Sequence, residues 1–391
     1  MIRLTLKPGR QESVLRRHPW LFSGAVASAE GNGSDGRAEV LDAEGRPLAR
    51  GAYSPGSQII ARLWTFDGRT PGAPLFEERF RMAERLRERV VPAETTGFRA
   101  LNSEGDLCPG VLLDVYGDTA VLELTTEGTE VWGPEIEEAV RRVFAPKELI
   151  MRQTGSERDR GLRQSEIRNP KSEIARVPFT ENGLRFLADV SGQKTGFFLD
   201  QRENRGRLRA LARGCTVLNL FSYTGAFSIA ALAGGASRAV DVDSSEPALA
   251  LAREHRRING FDAAETDFAR VDVFEDLRRR VAERERWDIV VCDPPAFAKK
   301  RGDLPRACRG YKDVNRLAMS LVAPGGWLLT CSCSGLLGAD LFQKVVFSAG
   351  LEARARFLLV ERQGAGADHP VSLECPEGEY LKGLWLKSVD G

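Results

Sequence analysis

Two stretches of sequence decide the fold: Trp287-Asp-Ile-Val-Val-Cys-Asp-Pro-Pro-Ala-Phe297 and Gly326-Trp-Leu-Leu-Thr-Cys-Ser-Cys-Ser-Gly335. Each is a short apolar run that ends in polar residues, a pattern that predicts a buried parallel strand. Ligands of doubly wound sheets bind at the carboxyl ends of the strands. There the first stretch supplies the carboxylate of Asp293 and a rigid pair of prolines, and the second supplies two thiols, Cys331 and Cys333. We therefore expect a planar ring to be held beside a nucleophile at this edge.

The composition indicates a globular protein of more than one domain. A chain of 391 residues exceeds one ordinary hydrophobic core, so about two or three domains are expected. No segment approaches the roughly 20 consecutive apolar residues of a transmembrane helix, so no membrane contact is expected. The N-terminus is basic but lacks the apolar run of a signal peptide, which favours a cytoplasmic location. Seven cysteines in such a length do not form a disulfide framework.

The net charge is only +1, but the basic residues are clustered at positions 1–20, 202–213 and 299–312. Such clusters fit phosphate binding, since sequence-independent affinity for nucleic acid comes from Lys and Arg. Each cluster taken alone could also be a solvated helix face. The third follows the Asp-Pro-Pro corner directly, which favours nucleic acid as the partner. The candidate RNA-binding residues are Arg16, Arg17, Lys299, Lys300, Arg309 and Lys312.

Residues 1–72 are predicted to form a small β-barrel, because short strands alternate with glycine-containing turns. The predicted strands are Ile2–Leu6, Ala38–Asp42, Pro47–Tyr53 and Ile59–Thr65. Trp20 and Phe22 are expected in the core of this barrel. Residues 73–176 are interpreted as a second, α+β domain, whose polar last part, residues 153–176, is interpreted as a linker without regular structure.

From residue 177 to residue 391, strands and helices alternate, which predicts a doubly wound α/β domain with helices on both faces of a parallel sheet. The predicted strands outside the two opening stretches are Val217–Phe221, Ala239–Val242, Arg270–Val271 and Leu381–Lys387, the last of which closes the sheet. A helix of small residues, Ala226–Ala233, is expected to pack closely on the sheet.

The turn after the first of these strands reads Phe221-Ser222-Tyr223-Thr224-Gly225 and holds a single glycine. A Gly-x-Gly-x-x-Gly loop would cradle a pyrophosphate, so its absence argues against NAD or FAD. Asp243 ends the second strand, where a carboxylate meets ribose hydroxyls, and Asp272 follows the third, where an adenine amino group would be held. A ligand with ribose and adenine but no pyrophosphate is S-adenosylmethionine (SAM). Asp243 alone could also be an ordinary loop carboxylate.

The cysteines are spaced for thiol chemistry rather than for a metal. There is no Cys-x-x-Cys pair, and neither His255 nor His369 has a neighbouring ligand in the sequence, so no metal is expected. Cys215 and Cys292 are interpreted as small buried hydrophobic residues. Cys333 differs because it lies in a polar turn at a strand end.

A thiol beside a methyl donor has a specific use in pyrimidine methylation. A thiolate that adds to C6 makes C5 enamine-like, C5 then takes the methyl group, and loss of the C5 proton expels the enzyme. Cys333 is the candidate nucleophile, and Asp293 is the candidate partner of the N3/N4 edge of cytosine. Two alternatives stay open: methylation of an exocyclic amine or ring nitrogen at the Asp-Pro-Pro corner, and a non-catalytic RNA-binding protein that has kept the fold.

Motifs that run from end to end of the chain resemble those of the RlmI-like family of 23S ribosomal RNA cytosine-5 methyltransferases. The motifs are Arg16-Arg-His-Pro-Trp20, Arg50-Gly-Ala-Tyr-Ser-Pro55, Gly192-Gln-Lys-Thr-Gly-Phe-Phe-Leu-Asp-Gln-Arg202, Phe221-Ser-Tyr-Thr-Gly225, Asp293-Pro-Pro295, Cys308-Arg-Gly-Tyr-Lys-Asp313, Ser332-Cys-Ser-Gly335 and Ala367-Asp-His-Pro370. The resemblance implies an N-terminal PUA domain for RNA, a central α+β domain, and a C-terminal Rossmann-like class I methyltransferase domain with a mostly parallel, seven-stranded sheet.

The resemblance also implies roles for individual residues. It makes Cys333 the nucleophile and large-subunit ribosomal RNA, free or partly assembled, the substrate; a homodimer is one option for the assembly. The resemblance implies that the 192–202 motif wraps the methionine end of the cofactor, with Lys194, Phe198, Asp200 and Gln201 near it. The other candidate cofactor-binding residues lie in the turn and at the strand ends: Phe221, Ser222, Tyr223, Thr224, Gly225, Asp243, Asp272, Asp293 and Pro294. The chain departs from the pattern at Ala296, where many RNA cytosine-5 methyltransferases carry a second cysteine, so the group that releases the enzyme is unassigned.

Overall fold

The computed structural model describes residues 1–153, 166–168, 176–190, 196–298 and 300–389. Lys194 and Lys299 therefore lie outside the described residues. The chain forms two compact units. The first comprises Met1–Thr180, Ala188–Leu199 and Ala367–Gly378, and the second comprises Glu181–Leu187, Asp200–Gly366 and Glu379–Gly391. The division into three domains at residues 72 and 176 stays a prediction.

The regular elements are numbered in chain order. The strands are β1 (Ile2–Leu6), β2 (Trp20–Phe22), β3 (Val26–Gly31), β4 (Arg37–Leu41), β5 (Pro47–Tyr53), β6 (Ile59–Thr65), β7 (Gly97–Asn102), β8 (Val111–Tyr116), β9 (Thr119–Leu124), β10 (Glu148–Gln153), β11 (Glu166–Arg168), β12 (Arg176–Glu181), β13 (Leu184–Asp189), β14 (Thr216–Leu220), β15 (Arg238–Asp243), β16 (Phe268–Arg270), β17 (Trp287–Cys292), β18 (Val322–Ser332), β19 (Phe357–Gln363) and β20 (Lys382–Ser388). The helices are α1 (Glu12–Leu15), α2 (Ala73–Val90), α3 (Glu127–Glu130), α4 (Gly133–Phe144), α5 (Arg202–Leu211), α6 (Ala226–Ala233), α7 (Glu246–Ile258), α8 (Val273–Ala282), α9 (Leu304–Leu321) and α10 (Ala339–Ala353).

The first unit begins with a six-stranded sheet in the order β2-β6-β5-β4-β1-β3. The prediction of a small β domain here is confirmed, and β1, β5 and β6 have the bounds expected from the sequence. Gly51 of β5 is required for close packing, because a Cβ there would lie 1.9 Å from the carbonyl oxygen of Arg62. The expected burial of Phe22 is wrong: half of its surface is exposed. Trp20 is only partly buried, and its Nε1–H donates to Glu104 Oε1 at 2.7 Å.

The rest of the first unit is built on a five-stranded sheet, β11-β10-β9-β8-β7, with helices α2 and α4 packed on it. The aromatic side chains of Trp64, Phe76 and Trp132 meet edge to face at ring distances of 5.0 to 6.1 Å in its core. The interpretation of residues 153–176 as structureless is wrong in part. β11 lies within that range and pairs antiparallel with β10; residues 154–165 and 169–175 lie outside the described residues.

The second unit contains a seven-stranded sheet in the order β16-β15-β14-β17-β18-β20-β19. Neighbouring strands are parallel from β16 to β18, and β20 is antiparallel to both of its neighbours. Side chains of β14 alternate between the two faces, as a strand requires: Leu218 and Leu220 join one core with α8, α9 and α10, and Val217 joins another with α5 and α6. The predicted α/β sheet with helices on both faces is confirmed.

The outer part of this sheet differs from the prediction. The strand predicted at Leu381–Lys387 does not close the sheet, because β20 lies one position inside the edge and β19 is the outermost strand. The apolar side chains of Leu358 and Val360 on β19 are largely exposed. An edge strand with one exposed face carries no buried apolar run, so the sequence pattern did not predict β19.

A buried ion pair holds α5 in the second unit. The guanidinium of Arg205 donates two hydrogen bonds to the carboxylate of Glu181, at 2.6 and 2.5 Å, and Arg202 Nε lies 3.6 Å from the same carboxylate. Arg202 and Arg205 belong to a cluster that the sequence suggested for phosphate binding. That interpretation is wrong for these two arginines, since both side chains are buried against Glu181.

We expect Arg205→Met to lower the free energy of unfolding by about 3 kcal/mol, because it leaves the carboxylate of Glu181 buried with less compensation. Urea denaturation followed by circular dichroism measures this loss. Arg209→Met is the matched control on the same helix, since Arg209 is exposed, and a surface change of this kind alters stability by less than about 0.5 kcal/mol. Equal losses of unfolding free energy in the two variants would contradict a stabilising role of the buried ion pair between Arg205 and Glu181.

Candidate active site

The turn from β14 to α6 has an unusual backbone. Phe221, Tyr223 and Gly225 all adopt left-handed conformations, with φ values of 55°, 48° and 73°. Such angles are strained for residues other than glycine. The turn is held by backbone hydrogen bonds from Ser222 N–H to Val242 O (3.0 Å) and from Gly225 N–H to Ser222 O (2.9 Å). Strain kept in place by such bonds is a feature of ligand-binding turns.

The same turn offers polar groups that need a partner. Ser222 Oγ and Thr224 Oγ1 are buried and have no hydrogen-bond partner among the described residues. Gly225 is required for close packing of the turn, because a Cβ there would lie only 2.8 Å from the Cβ of Ala252. Buried hydroxyls are normally satisfied, so a polar ligand on this turn fits the arrangement. SAM is such a ligand, and the single glycine leaves no pyrophosphate cradle.

The two predicted carboxylates at the next strand ends are placed differently. Asp243 accepts hydrogen bonds from the backbone N–H groups of Tyr223 (2.9 Å) and Ser245 (2.8 Å), which fix its orientation at the turn. Asp272 is exposed and caps α8, where its Oδ1 accepts from Phe274 N–H (2.9 Å) and Glu275 N–H (3.1 Å). Sequence reasoning missed this capping role, and the contact of Asp272 with adenine stays a prediction.

A buried network of polar side chains lies next to the turn at residues 221–225. Asp241 of β15 accepts from Asn219 Nδ2 (2.8 Å), Ser228 Oγ (2.6 Å) and Arg256 Nη2 (3.2 Å). Burial raises the pKa of Asp241, and Arg256 acts in the opposite direction. Sequence reasoning missed these residues, because Asp241 lies within a strand where the pattern predicts only burial.

His255 of α7 ties the turn to β13. Its Nε2 accepts from Leu187 N–H at 3.0 Å, so the other nitrogen, Nδ1, carries the proton and donates to Thr224 O at 2.8 Å. The sequence gave His255 no neighbouring metal ligand. The structure shows a fully buried histidine with a hydrogen-bonding role in the support of the turn.

A relay of side-chain amides orients Asp293. Gln201 Nε2 donates to Asp293 Oδ2 at 2.9 Å, Asn204 Nδ2 donates to Gln201 Oε1 at 2.7 Å, and Trp385 Nε1 donates to Asn204 Oδ1 at 3.1 Å. The side chains of Gln201, Asn204 and Trp385 are buried. The carboxylate of Asp293 is therefore held by a fixed framework of hydrogen bonds. Gln201 was expected near the methionine end of the cofactor; its contact with Asp293 adds a positioning role that the sequence did not reveal.

The other members of the 192–202 motif are placed as follows. Asp200 is buried and accepts from Tyr380 O–H at 2.6 Å. Phe198 is half-buried and belongs to the first unit. Lys194 lies outside the described residues. The cofactor contacts of all three stay predictions.

The structure separates the two thiols that the sequence left ambiguous. Cys331 is fully buried in β18, and burial, with Asp293 as a further cause, raises the pKa of its thiol well above the ordinary value. Cys333 is partly exposed just beyond the strand, with Sγ 3.9 Å from Pro294 O. The thiol that is accessible therefore lies beside the Asp293-Pro294 corner. Among the cysteines interpreted as buried, Cys292 is buried but Cys215 is only partly so.

Comparisons with known proteins agree with this geometry. Residues 171–371 match a family model described as S-adenosylmethionine-dependent methyltransferase, and residues 4–66 match a PUA-like domain. The chain is 40% identical to "Ribosomal RNA large subunit methyltransferase I" of Erwinia tasmaniensis, over 99% of this chain and 100% of that protein. It is 42% identical to the protein of the same name from Klebsiella pneumoniae, over 98% of this chain and 97% of that protein.

The chain belongs to this family of SAM-dependent methyltransferases. Its cofactor is therefore SAM, as the turn at Gly225 indicated. A crystal structure of a methyltransferase complexed with S-adenosylhomocysteine has a TM-score of 0.85 at 24% identity and covers 99% of this chain and 100% of that one. A second structure, assigned to the SAM-dependent methyltransferases of Streptococcus mutans, gives 0.84 at 23% identity, with the same coverage. At these identities the likeness shows the fold alone.

The candidate RNA-binding residues differ in their availability in this methyltransferase. Lys300 and Arg309 are exposed; the first lies just before α9 and the second lies on α9. Lys312, also on α9, forms an ion pair with Glu352 at 2.7 Å. In the first unit, Arg16 and Arg17 are exposed. Arg16 forms an ion pair with Glu12 within its own helical turn, and Lys299 lies outside the described residues. RNA contacts by these side chains stay predictions.

Two further findings concern the expectations that the protein contacts no membrane and binds no metal. No helix within the described residues combines the length and apolar character needed to cross a membrane. In the described part of the chain, His18, Cys375 and Glu377 bring possible metal-ligand atoms within 4.8 Å of one another. Burial raises the pKa of the Cys375 thiol to about 12. The expectation that no metal is bound stays a prediction.

We expect Gly225→Ala to weaken SAM binding by about tenfold or more, because the new methyl group meets Ala252 and the left-handed backbone is strained. Isothermal titration calorimetry measures the change. Gly260→Ala is the matched control, since Gly260 has nearly the same φ (+72°) but a Cβ added there would meet nothing within 4 Å. A SAM affinity in Gly225→Ala equal to that of the control would contradict a cofactor cradle at this turn.

Proposed function

We propose that this enzyme forms 5-methylcytosine in large-subunit ribosomal RNA through a covalent bond between Cys333 and the base. The observation that carries the proposal is the position of the partly exposed Cys333 thiol, 3.9 Å from the carbonyl oxygen of Pro294 in the Asp-Pro-Pro corner. The relatives named above act, by their names, on large-subunit ribosomal RNA. Their names do not state which atom is methylated, and the thiol is what favours carbon 5.

In the proposed reaction, the Cys333 thiolate adds to C6 of cytosine, and the electron pair of the C5–C6 double bond moves onto C5 and the ring. SAM, when bound, supplies an electrophilic methyl group to C5. A base then removes the C5 proton, the double bond re-forms, and the bond between Cys333 and C6 breaks to return the thiolate. The net products are 5-methylcytosine, S-adenosylhomocysteine and a proton.

Asp293 is proposed to hold the cytosine ring during these steps. Its carboxylate accepts a hydrogen bond from the N4 amine, and in its protonated form it donates to N3, where negative charge develops in the adduct. Gln201 fixes one carboxylate oxygen at 2.9 Å, which leaves the orientation of the group independent of the substrate. Preorganised partners of this kind stabilise a transition state without further rearrangement.

The proposal includes the binding of RNA and the state of the substrate. The exposed basic side chains of Arg16, Arg17, Lys300 and Arg309 contact the phosphates of the RNA. The substrate is free or partly assembled large-subunit RNA in the cytoplasm. Electrostatic contacts of this kind weaken steeply as salt concentration rises. A homodimer is compatible with this scheme and is not required by it.

A second candidate function is methylation of an exocyclic amine or ring nitrogen. The sequence Asp293-Pro-Pro-Ala-Phe297 favours it, because corners of this type hold a target amine without a thiol. A non-catalytic RNA-binding protein is the third candidate, and membership of a SAM-dependent methyltransferase family argues against it. The three candidates differ in the nucleoside that they produce.

The experiment that distinguishes them is nucleoside analysis. Large-subunit RNA lacking modifications is incubated with the enzyme and methyl-labelled SAM, digested to nucleosides, and examined by mass spectrometry. The proposal predicts label in 5-methylcytidine. Label in N4-methylcytidine or another N-methylated nucleoside would support the second candidate, and RNA binding without any label would support the third.

A further inference from the structure

Lys382 is a buried lysine of the second unit. It begins β20 and is only 7% exposed. Its Nζ donates to Ser334 O at 2.6 Å and to Tyr380 O at 2.7 Å. Lysine is rarely buried, because removing an ammonium group from water is costly unless partners compensate for the loss. Two carbonyl oxygens use two of the three N–H donors of the charged form.

Lys382 lies beside the two chain neighbours of Cys333, the candidate nucleophile. In the antiparallel pairing of β18 and β20, Lys382 lies opposite Ser332. Its ammonium group reaches the carbonyl of Ser334. Cys333 lies between these two residues in the chain, so Lys382 bonds to the residue after the cysteine and is paired in register with the residue before it. The thiol of Cys333 in turn raises the pKa of Lys382, in opposition to the larger lowering caused by burial.

Five titratable groups interact electrostatically with Cys333 or with its neighbours. Tyr311 on α9, Cys331 on β18 and Lys382 on β20 interact with Cys333 itself. Asp293 after β17 interacts with Tyr311 and Cys331, and Glu379 before β20 interacts with Lys382. Burial raises the pKa of Tyr311 to about 12, so its hydroxyl is neutral near pH 7, as is the buried thiol of Cys331. The two carboxylates oppose a negative charge on sulfur. Among these five groups, Lys382 is the one that favours it.

We propose that Lys382 is a positioning residue whose buried ammonium group holds the turn at Cys333 and stabilises this cysteine as the thiolate that attacks cytosine. The inference rests on the proposed function and deepens it. A thiolate is the reactive form of cysteine, and a neighbouring cation increases its population at neutral pH. Lys382 itself forms no bond to the substrate in this role.

The test measures how the reactivity of Cys333 depends on pH, in the absence of RNA. The full-length protein is treated with iodoacetamide between pH 5 and pH 10, and the alkylation rate at Cys333 is followed by peptide mass spectrometry. Lys382→Gln is the decisive variant, because glutamine keeps an N–H donor for Ser334 O but carries no charge. We expect the midpoint of its rate profile to rise by about one to two pH units.

Two variants serve as controls. Lys382→Arg keeps the charge, so its midpoint should stay within about half a unit of that of the unmodified protein. Lys387→Met removes another lysine of β20, one that contacts Gly325 O and lies over the ring of Trp327, and should leave the midpoint unchanged. Lys382→Met is a second neutral variant if the glutamine does not fold. An unshifted midpoint in the neutral variant that folds would overturn the inference.

A methylation assay separates this inference from the proposed function. Lys382→Gln should lower methyl transfer at pH 7 by roughly 10- to 100-fold and recover much of the loss at higher pH, as a shift of one to two units in thiolate formation requires. A merely structural role would lower the rate equally at every pH. If Cys333→Ala still methylates carbon 5, the proposed function fails; if it does not, but Lys382→Gln keeps the normal pH profile, only the role of Lys382 fails.

Discussion

Replacing Cys333 with alanine should reduce methyl transfer to ribosomal RNA by at least about 10⁴-fold, because the covalent route has no substitute for the attacking thiolate. SAM affinity should stay within about twofold, since the turn proposed to bind the cofactor, residues 221–225, lies at a different strand end. Single-turnover methylation with labelled SAM measures the first quantity, and calorimetry measures the second.

Cys308→Ala is the matched control for this variant. Cys308 is also partly exposed and lies on α9, but the proposed reaction assigns it no role. We expect its methylation rate to stay within about twofold of the unmodified rate. A Cys333→Ala enzyme with the activity of the control would rule out the covalent mechanism.

Asp293→Asn should lower kcat by roughly 10²- to 10³-fold and weaken SAM binding by less than about tenfold. Asparagine keeps the size and still accepts from Gln201, but it loses the charge and cannot donate a carboxyl proton to N3 of cytosine. The separation of kcat from SAM affinity distinguishes a role in catalysis from a role only in cofactor binding. Steady-state methylation and calorimetry on the same preparation provide both values.

Asp288→Asn provides the comparison for Asp293. Asp288 lies near the opposite end of β17, where its Oδ2 accepts from the N–H and the hydroxyl of Thr216. Asparagine can accept the same bonds, so kcat should change by less than about twofold. If Asp293→Asn retained the kcat of this control while SAM affinity fell, Asp293 would serve the cofactor alone.

Much of the fold could be predicted because its signals are local. The helix α6 and the strand β5 have the bounds expected from the sequence, since small residues and turn glycines define their ends. The single glycine at position 225 likewise predicted SAM rather than a dinucleotide. Phe22 was misplaced because an aromatic residue in a strand pattern does not show which face of the sheet is solvated.

The parts of the site that sequence reasoning missed depend on residues far apart in the chain. Gln201 meets Asp293 across 92 positions, and Lys382 meets Ser334 across 48. No periodicity relates such pairs, because folding alone brings them together. Lys382 did leave a trace, as a single charged residue in the apolar run Leu381-Lys-Gly-Leu-Trp-Leu386. A charge in a buried strand is rare enough to mark a functional position.

The covalent mechanism is tested most directly by trapping. The enzyme is incubated with SAM and a ribosomal RNA fragment that contains 5-fluorocytosine, then denatured and analysed by mass spectrometry. Fluorine at C5 cannot leave as a proton, so the covalent mechanism predicts a stable adduct between the methylated base and the peptide that carries Cys333. Absence of an adduct, while unmodified RNA is still methylated by the same preparation, would contradict this mechanism and move the target to a nitrogen atom.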